Sequence, residues 1–296
     1  MTQLIAQATV NAIVGASYYF LVALGFGLVF WSTRFFNFSH GAIITIGGYV
    51  AYSVATYGAA WPIFGVIAAI GLSALSGVAF ERSIFRRIRE SDGSNLVLMM
   101  ASLGVYMVVQ NLISMLYGDD AKGFGLPAKE GLYILSARIT LAQLATVSCA
   151  LGTALLSHII LKTTRYGRYL RALAENPYLA MVKGIPTKGL IVAMFFFGSG
   201  LAGLVGVLVG YDLQITPTMG FRLLLPGIVV LVVAGARVSI LSVLIAALAI
   251  STVQQAAIVI VDSRWNDAIL FAILVLALIV RPGGVEGSRS NRIGLL

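Results

Sequence analysis

The sequence predicts an all-α, polytopic integral membrane protein with about eight to ten transmembrane helices. Of its 296 residues, 59% are hydrophobic and only 10% are charged. A soluble domain carries roughly 25% charged residues, so a soluble fold of this composition would lack a polar surface. The apolar residues also fall into long runs, and a run of about 20 residues can span a bilayer. We therefore expect residues 1–296 to form a single transmembrane domain.

Nine apolar stretches are candidates for membrane-spanning helices. They are residues 9–31, 41–57, 61–80, 95–117, 141–161, 189–211, 223–235, 239–261 and 267–280. The seventh stretch is short, so counts of eight or ten spans stay open.

The basic residues predict the orientation of these spans. With nine crossings, 15 of the 20 lysines and arginines fall on one side of the membrane. They lie in four loops, at Arg34, residues 82–89, residues 162–188 and Arg237, and in the tail after residue 280. Basic loops collect on the cytoplasmic side of a membrane. We therefore expect a cytoplasmic C-terminus, an external N-terminus and an external segment 118–140 containing a loop or small hairpin. The net charge of +9 is interpreted in the same way, rather than as a sign of nucleic-acid binding.

The motifs of several enzyme classes are missing from the sequence. There is no G-x-x-x-x-G-K-[ST] phosphate loop, no H-E-x-x-H, and only one cysteine, Cys149. The two histidines, His40 and His158, are far apart in sequence, and we interpret His158 as a satisfied interface residue. The sequence thus indicates no catalytic residue, no metal site and no enzyme activity.

The stretch RFFNFSHGAIITIGGYV places Asn37, Ser39 and His40 at the start of the second span. Asn and Ser side chains cap helix starts by accepting hydrogen bonds from free backbone N–H groups. A helix start also offers a positive dipole end and unpaired donors to a carboxylate or carbonyl group. Two interpretations stay open here: a helix start that lines a cavity, and a plain capped turn.

Amides and a hydroxyl within two spans are the next candidates. Ser102, Gln110 and Asn111 lie in the fourth span, and Gln254 and Gln255 lie in the eighth. A polar group in hydrocarbon must be hydrogen-bonded or face water. For Ser102 and Gln110, eight residues apart and so nearly on one face, lining a path and bonding between helices are both open. For Gln254 and Gln255 we expect interhelical hydrogen bonds.

Small residues recur at four-residue spacing in the sixth span. Gly206 and Gly210 form a G-x-x-x-G pattern, and Ser199 and Gly203 form a second small pair. Such pairs let two helices approach closely, so we expect them to serve packing.

The segment RALAENPYLAMVKGIP interrupts the apolar chain with a short helix. Asn176 followed by Pro177 predicts the helix start, and Gly184 followed by Pro186 predicts its end. Tyr178, Met181 and Val182 then share one face at helical spacing. An exposed apolar face of this kind indicates either a protein partner or a helix lying on the lipid interface.

These motifs together resemble one family of transport proteins. NFSHGAIITIGGYVAY, SLGVYMVVQNLISMLYG, RYGRYLRALAENPYLAMVKGIPT and the tail RPGGVEG are similar to signatures of ABC transporter permeases of the branched-chain amino acid family. The likeness extends over almost the whole chain with spacings kept, and it is greatest to the shorter, LivH-type permease of the pair. The resemblance implies an ABC importer permease fold in a bacterial inner membrane.

The family also implies partners and roles. The expected partners are a second related permease, two ATP-binding cassette subunits that use the ATP, and a periplasmic substrate-binding protein met by the charged segment 118–140; no cofactor is expected on this chain itself. The residues expected on the substrate path are Asn37, Ser39, His40, Ser102, Gln110 and Asn111. Those expected to couple to the ATPase are Arg168, Arg171, Glu175, Asn176, Tyr178, Met181, Val182 and Gly184, with Arg171 and Glu175 able to pair at i, i+4.

The expected substrates are branched-chain or other hydrophobic amino acids. Urea and short-chain amides are the alternative within the same importer class. A stand-alone ion-coupled carrier is the alternative from a different class, but such carriers use carboxylates within the membrane, and Asp212, Asp262 and Asp267 lie at span ends.

The chain departs from the family pattern in one place. Where these permeases usually carry a stretch similar to GGIGS-PGA, this chain reads VVAGARVSILSVLIAA and keeps only Gly235. Contacts made by those glycines in the family are therefore not carried over, and a different substrate is one possible consequence.

Overall fold

A computed structural model describes residues 2–57, 62–124, 131–134, 137–235, 237–260 and 263–280. Twelve α-helices are found in these ranges: α1 (Thr2–Thr33), α2 (Ser39–Tyr57), α3 (Pro62–Phe80), α4 (Arg86–Glu90), α5 (Asn95–Tyr117), α6 (Leu141–Thr163), α7 (Arg165–Glu175), α8 (Pro177–Val182), α9 (Thr187–Asp212), α10 (Met219–Ala234), α11 (Ile240–Ile260) and α12 (Asn266–Val280). A π-helical turn, Glu81–Phe85, joins α3 to α4, and a 3₁₀ turn, Ser263–Trp265, precedes α12. The predicted all-α fold class is confirmed.

Each predicted span corresponds to a helix, but the helices differ in how readily they would cross a membrane alone. Among the described residues, six helical segments are long and apolar enough: Gln3–Thr33, Pro62–Glu90, Asn95–Tyr117, Leu141–Thr163, Thr187–Asp212 and Ile240–Val259. Helices α10 and α12 are apolar but shorter. Helix α2 carries several Ser, Thr, Gly and Tyr residues, and its first half is buried among other helices. The count of nine crossings stays a prediction.

The helices form an inner and an outer set. Within their apolar segments, 78% of α1 and 61% of α9 is buried, against 22% of α5 and of α6. Trp31, Phe20 and Phe26 of α1 are completely buried, whereas α5 exposes Met115 and Leu116. Exposed apolar side chains on the outer helices suit contact with lipid or another membrane subunit.

Glycines allow the inner helices to pack closely, as their spacing predicted. A Cβ atom added at Gly47 of α2 would lie 2.5 Å from the Gly203 Cα of α9, and one at Gly203 would lie 2.6 Å from the Ser73 Cβ of α3. Gly206 lies directly against the backbone carbonyl of Ile44. These contacts leave no space for larger side chains, so α2, α3 and α9 form one tightly packed unit.

Contacts among the loops divide them between the two ends of the bundle. At one end the Gln7 side chain accepts a hydrogen bond from Arg138 N (2.9 Å), and Lys122 pairs with Ile215 through backbone bonds of 2.9 Å. At the other end the Lys188 Nζ–Glu90 Oε1 distance is 2.8 Å. This division agrees with the predicted topology, in which the basic loops share one side; that this side is the cytoplasm stays a prediction.

The predicted hairpin lies at the end of the bundle that carries Gln7 and Lys122. Strands β1 (Gly131–Ile134) and β2 (Ala137–Thr140) pair antiparallel with Gly131 opposite Thr140. Thr140 then caps α6 through a reciprocal pair of hydrogen bonds with Gln143. Lys129, Glu130, Asp262 and the tail with RPGGVEG lie outside the described residues.

Helix α10 begins inside the bundle, which explains why the seventh span looked short. A Cβ at Gly48 would meet the Met219 side chain and would lie 3.2 Å from Gly206 O. The Met219 side chain therefore reaches the level of Gly206, about 9 Å from the end of α9 at 1.5 Å per residue. Residues 213–218 return into the bundle before α10 starts, and Ile215 there is completely buried. The helix starts four residues earlier than predicted.

Candidate substrate path and coupling helix

The start of α2 is a buried polar site at the centre of the bundle. Asn37 Oδ1 accepts hydrogen bonds from Ser39 N (3.2 Å) and from Ser39 Oγ (2.6 Å). Asn37 therefore supplies the capping acceptor, as expected. Ser39 does not: it is the first residue of α2, and its hydroxyl is a donor to Asn37.

Asn37, Ser39 and His40 are at most 1% exposed, and several of their polar atoms have no hydrogen-bond partner among the described residues. These atoms are Nδ2 of Asn37 and both ring nitrogens of His40. The imidazole packs edge-on to the Phe26 ring at 6.0 Å between centroids. A buried polar group without a hydrogen bond costs about 1–3 kcal/mol, so the helix start is held in an unfavourable environment by the packing around it.

Ser102 connects α5 to this site. Its hydroxyl oxygen accepts a hydrogen bond from Phe38 N (2.9 Å), and its hydrogen is within reach of Met99 O (2.7 Å) and Phe36 O (3.3 Å). Ser102 is completely buried. The structure thus brings Ser102 to the start of α2, which carries Asn37, Ser39 and His40, and gives it a structural contact there.

The structure separates the other two predicted path residues from this group. Gln110 is half-buried and lies about 12 Å from Ser102 along α5. Asn111 is exposed on the outer face, and its Nδ2 donates to Met107 O of the same helix (2.7 Å). Asn111 faces away from Ser102, because 3.6 residues per turn carry position 111 to the opposite side of α5; its role on the path stays a prediction.

Gln254 of α11 interacts with the Tyr19 hydroxyl of α1, which is the kind of interhelical contact expected for it. Its side chain is 2% exposed, and within the described part of the chain neither Oε1 nor Nε2 has a hydrogen bond of normal geometry, so the contact with Tyr19 is a long one.

Sequence analysis missed an aromatic group beside the α2 start. The Phe221 ring of α10 lies 6.3 Å from Phe38 and 5.2 Å from Tyr106 of α5, measured between centroids. Phe38 and Phe221 are half-buried. These three rings form an apolar surface next to the polar helix start. The early α10 start, which brings Gly220 against Gly41, is the feature that places Phe221 there.

A second aromatic group, also missed, lies near the C-terminal end of α2. Tyr49 packs against Tyr117 with tilted rings at 4.7 Å between centroids, and Phe124 stacks against Tyr211 at 4.5 Å. Ser53 Oγ and Tyr117 OH are hydrogen-bonded at 2.6 Å. Tyrosines 49 and 52 at helical spacing were the only sequence signal for this cluster. It connects α2 to the end of α5 and to Phe124.

Helix α8 has the caps that the sequence predicted. Asn176 Oδ1 accepts from Leu179 N (3.0 Å). At the other end Gly184 has φ of +77°, Gly184 N donates to Met181 O (2.9 Å) and Ile185 N donates to Ala180 O (3.1 Å). This is the paired hydrogen-bond pattern of a left-handed helix end, and it holds a six-residue helix in one shape.

The predicted apolar face of α8 is exposed. Tyr178, Met181 and Val182 have 70%, 55% and 68% of their surface accessible, and Leu179, which was not predicted, has 52%. Ala180 on the opposite side is buried. Four adjacent large apolar side chains on an end of the bundle that also carries the basic loops form a surface suited to a binding partner.

Helix α7 anchors α8 to the membrane helices. It buries Leu170 and Leu173, and its Gly167 lies directly against the backbone of Leu161. Arg168 is exposed. The predicted pair of Arg171 with Glu175 is wrong: the Arg171 guanidinium donates to Leu161 O instead, because the half-buried side chain reaches the unpaired carbonyls at the end of α6.

Gly235, the glycine that remains of the family stretch, ends α10. Its φ is +101°, and its N–H donates to Leu231 O. A residue with a Cβ rarely adopts this conformation, which explains why a glycine stands at this position.

These features are those of a multi-pass membrane permease: an apolar helix bundle with a buried polar helix start and an exposed, rigid apolar helix at one end. A sequence profile described as "Branched-chain amino acid transport system / permease component" matches residues 8–278. The chain therefore belongs to this family, and it is a permease subunit of an ABC importer located in the inner membrane.

Named relatives agree over nearly the full length. The high-affinity branched-chain amino acid transport system permease protein LivH of Salmonella typhimurium is 28% identical, and that of Escherichia coli K12 is also 28% identical, with 95% of each chain covered. BraD of Pseudomonas aeruginosa, a permease protein of the same kind of system, is 26% identical over 95% of each chain. PsaBC from Streptococcus pneumoniae in complex with Fab has a TM-score of 0.45 and 14% identity, covering 95% of this chain and 91% of that one; this likeness is too low to assign a fold.

Proposed function

We propose that the chain carries branched-chain or other hydrophobic amino acids across the inner membrane, driven by ATP hydrolysis on partner subunits. The observation that supports this most directly is α8. A chain without a phosphate loop needs a contact through which an ATPase can move it, and α8 is an exposed apolar helix with both ends fixed. The partners are a second related permease, two ATP-binding cassette subunits and a periplasmic substrate-binding protein.

The substrate path is proposed to pass the start of α2. The first turn of α2 provides the positive end of a helix dipole, with Asn37 and His40 beside it, and the rings of Phe38, Tyr106 and Phe221 provide an apolar surface. A carboxylate next to an aliphatic side chain matches this combination. Ser39 and Ser102 are completely buried, so on this proposal the path is closed to water at this point. Gln110 stays a proposed member of the path.

An ion-coupled carrier is disfavoured by the positions of the buried carboxylates. Glu81 forms an ion pair with Arg89 next to the π-helical turn. Asp212, at the external end of α9, accepts from Tyr18 OH (3.3 Å) and Thr140 Oγ1 (3.4 Å). Both carboxylates are engaged in contacts that join structural elements, as is typical of groups that stabilise a fold.

The test is transport by the reconstituted complex. We expect proteoliposomes containing this chain, its related permease, the ATPase subunits and the binding protein to take up labelled leucine only with internal ATP. Uptake of urea or a short-chain amide in place of leucine would assign the alternative substrate. Uptake by this chain alone, driven by an ion gradient without ATP, would contradict the proposal.

The role of α8 is tested with one substitution and a matched control. Met181→Asp puts a charge on the apolar face of α8, and we expect the ATPase to be lost on co-purification while membrane insertion is normal. Ser91→Asp adds the same charge to an exposed turn on the same side of the bundle, and should leave association unchanged. Retention of the ATPase by Met181→Asp with normal uptake would show that α8 is not the coupling helix.

The path is tested by cysteine labelling in a Cys149→Ser background. Cysteines at positions 39 and 102 should be protected from small water-soluble thiol reagents in the resting complex and should react during ATP turnover. Protection of both positions throughout turnover would exclude them from the path.

A further inference from the structure

A cleft with a basic lining opens where α6, α7 and α11 meet, away from the start of α2. Its volume is about 210 Å³. The lining residues are His158, Leu161, Lys162, Arg171 and residues 238–241. A water molecule occupies about 30 Å³ in the liquid, so the cleft has room for a group the size of a phosphate.

The polar lining consists of hydrogen-bond donors. Lys162 and His158 are exposed, and within the described part of the chain neither side chain forms a hydrogen bond or ion pair. Arg171 uses one guanidinium nitrogen on Leu161 O, which leaves its other N–H groups available. No carboxylate is among the residues that line the cleft. Two permanent positive charges thus face a small space without a compensating negative charge from the lining.

Backbone donors at the start of α11 add to these cations. Ser239 Oγ accepts from Ser242 N (3.3 Å), which satisfies one N–H of the first turn. The N–H groups of Ile240 and Leu241 belong to the same turn, whose donors have no acceptors within the helix, and both residues line the cleft. The helix dipole favours an anion at this end.

Apolar surface continues from the cleft along the same helices. Leu241 and Ile245 of α11 are 59% and 53% exposed, and Ile159 of α6 is 47% exposed. The cations lie at the end of the bundle that carries the basic loops, and the apolar side chains extend from them toward the centre of the span. A cation group above an apolar strip matches a phospholipid, whose phosphate lies above its acyl chains.

We propose that this cleft binds a phosphate group, and that the phosphate belongs to an anionic phospholipid of the cytoplasmic leaflet. Lys162, Arg171 and His158 would hold the phosphate oxygens, and an acyl chain would lie against α11. Free inorganic phosphate shares the recognised chemistry and is distinguished by experiment. The proposal does not depend on the transported solute or on the ATPase.

The experiment measures lipid binding to the purified full chain in detergent. Native mass spectrometry would compare phosphatidylglycerol with phosphatidylcholine of the same acyl length. We expect phosphatidylglycerol to bind about five- to tenfold more tightly, since a basic residue near an anionic lipid surface contributes about that factor. The double variant Lys162→Gln with His158→Gln should lose about a fivefold factor of this preference, with Arg171 left to hold the remainder. Arg87→Gln removes an exposed arginine at the same end of the bundle but outside the cleft, and should keep it.

Inorganic phosphate provides a measurement that needs no variant. If the phosphate group is what the cleft recognises, millimolar inorganic phosphate should displace part of the bound phosphatidylglycerol from the wild-type chain. Tight binding of inorganic phosphate without a preference for phosphatidylglycerol would overturn the lipid assignment. An equal preference in the double variant and the wild type would overturn the site itself.

Discussion

The start of α2 and the surface of α8 depart in opposite ways from the usual pattern of buried apolar and exposed polar side chains. At the start of α2, His40 and Asn37 are buried with polar atoms that form no hydrogen bond in the part of the chain that the structure describes. On α8, large apolar side chains such as Tyr178 and Val182 are exposed. Both arrangements cost free energy in the isolated chain. Natural proteins keep such costs where function needs them, and we propose that the first region meets a solute and the second a protein partner.

The two regions also differ in what fixes them. The shape of α8 is set locally, by Asn176 and Gly184 at its ends. The start of α2 is fixed by distant partners, since Phe38 N is bonded to Ser102 from α5 and Gly41 packs against Gly220 of α10. Substitutions at the ends of α8 should therefore affect coupling alone. Substitutions around α2 should affect the stability of the whole bundle.

The largest effect is expected from Gly184→Val. A β-branched residue in the left-handed conformation costs about 1–2 kcal/mol. A cost of that size lowers the ratio of chains with the capped α8 to chains without it by a factor of about 5–30. Uptake should fall by a similar factor while the melting temperature of the purified chain stays unchanged. Gly184→Asn is the control, because Asn tolerates this conformation and should retain most of the uptake. Equal uptake by the valine and asparagine variants would show that the cap geometry is unimportant.

Gly206→Ala should give the next largest effect, on stability. The added methyl group would overlap the Ile44 carbonyl and approach Gly48 N at 2.6 Å, which forces α2 and α9 apart. Overpacking of this kind costs about 1–3 kcal/mol, so thermal unfolding in detergent should begin at a lower temperature.

Gly104→Ala is the matched control for this substitution. No atom lies within 4 Å of a Cβ at Gly104 in α5, and alanine is favoured over glycine in a helix by about 1 kcal/mol. Its melting temperature should be equal to or above that of the wild type. A similar loss of stability in both variants would argue against close packing at Gly206.

Ser102→Ala tests the connection between α5 and the α2 start. Removing the hydroxyl leaves Phe38 N without its acceptor, which costs about 1–3 kcal/mol for a buried donor. The melting temperature should fall, and so should the uptake if the path passes the α2 start as proposed, because the same hydrogen bond positions that helix start. Ser148→Ala is the control: that hydroxyl only bonds to Leu144 O within its own helix and its loss should be neutral. An unchanged melting temperature for Ser102→Ala would mean that Phe38 N finds another acceptor.

The sequence alone was sufficient to predict those parts of the structure that depend on residues close together in the chain. Helix α5 has the bounds that were predicted, 95–117, and the caps of α8 were recognised because an N-cap and a left-handed glycine act within a few residues. The small residues of α9 pack as their spacing indicated.

The sequence alone was insufficient to predict those parts of the structure that depend on contacts between segments far apart in the chain. Ser102 and Phe38 are 64 residues apart in the chain, so their hydrogen bond left no local pattern. Asn111 was assigned to the path from its residue type alone, although the helical period turns it outward. The pairing of Arg171 with Glu175 followed the i, i+4 rule, but the free carbonyl of Leu161, brought close by the turn into α7, is the acceptor that the guanidinium reaches.

The smallest effect is expected from Lys188→Gln, at a contact that is neither buried nor apolar. Glu90 at the end of α4 contacts both Arg86 of the same helix and Lys188 near the start of α9. The Lys188–Glu90 ion pair therefore joins α9 to α4. Both side chains of the Lys188–Glu90 pair are largely exposed, at 70% and 47%, and exposed ion pairs are weak and screened by salt. We expect uptake to change by less than about threefold, with the difference from wild type vanishing at high salt. Glu90→Gln, which removes both contacts at once, should give the same small effect. A loss of uptake as large as that of Gly184→Val would mean that movement of α8 reaches the bundle through this ion pair rather than through the packed interface of α7 and α9.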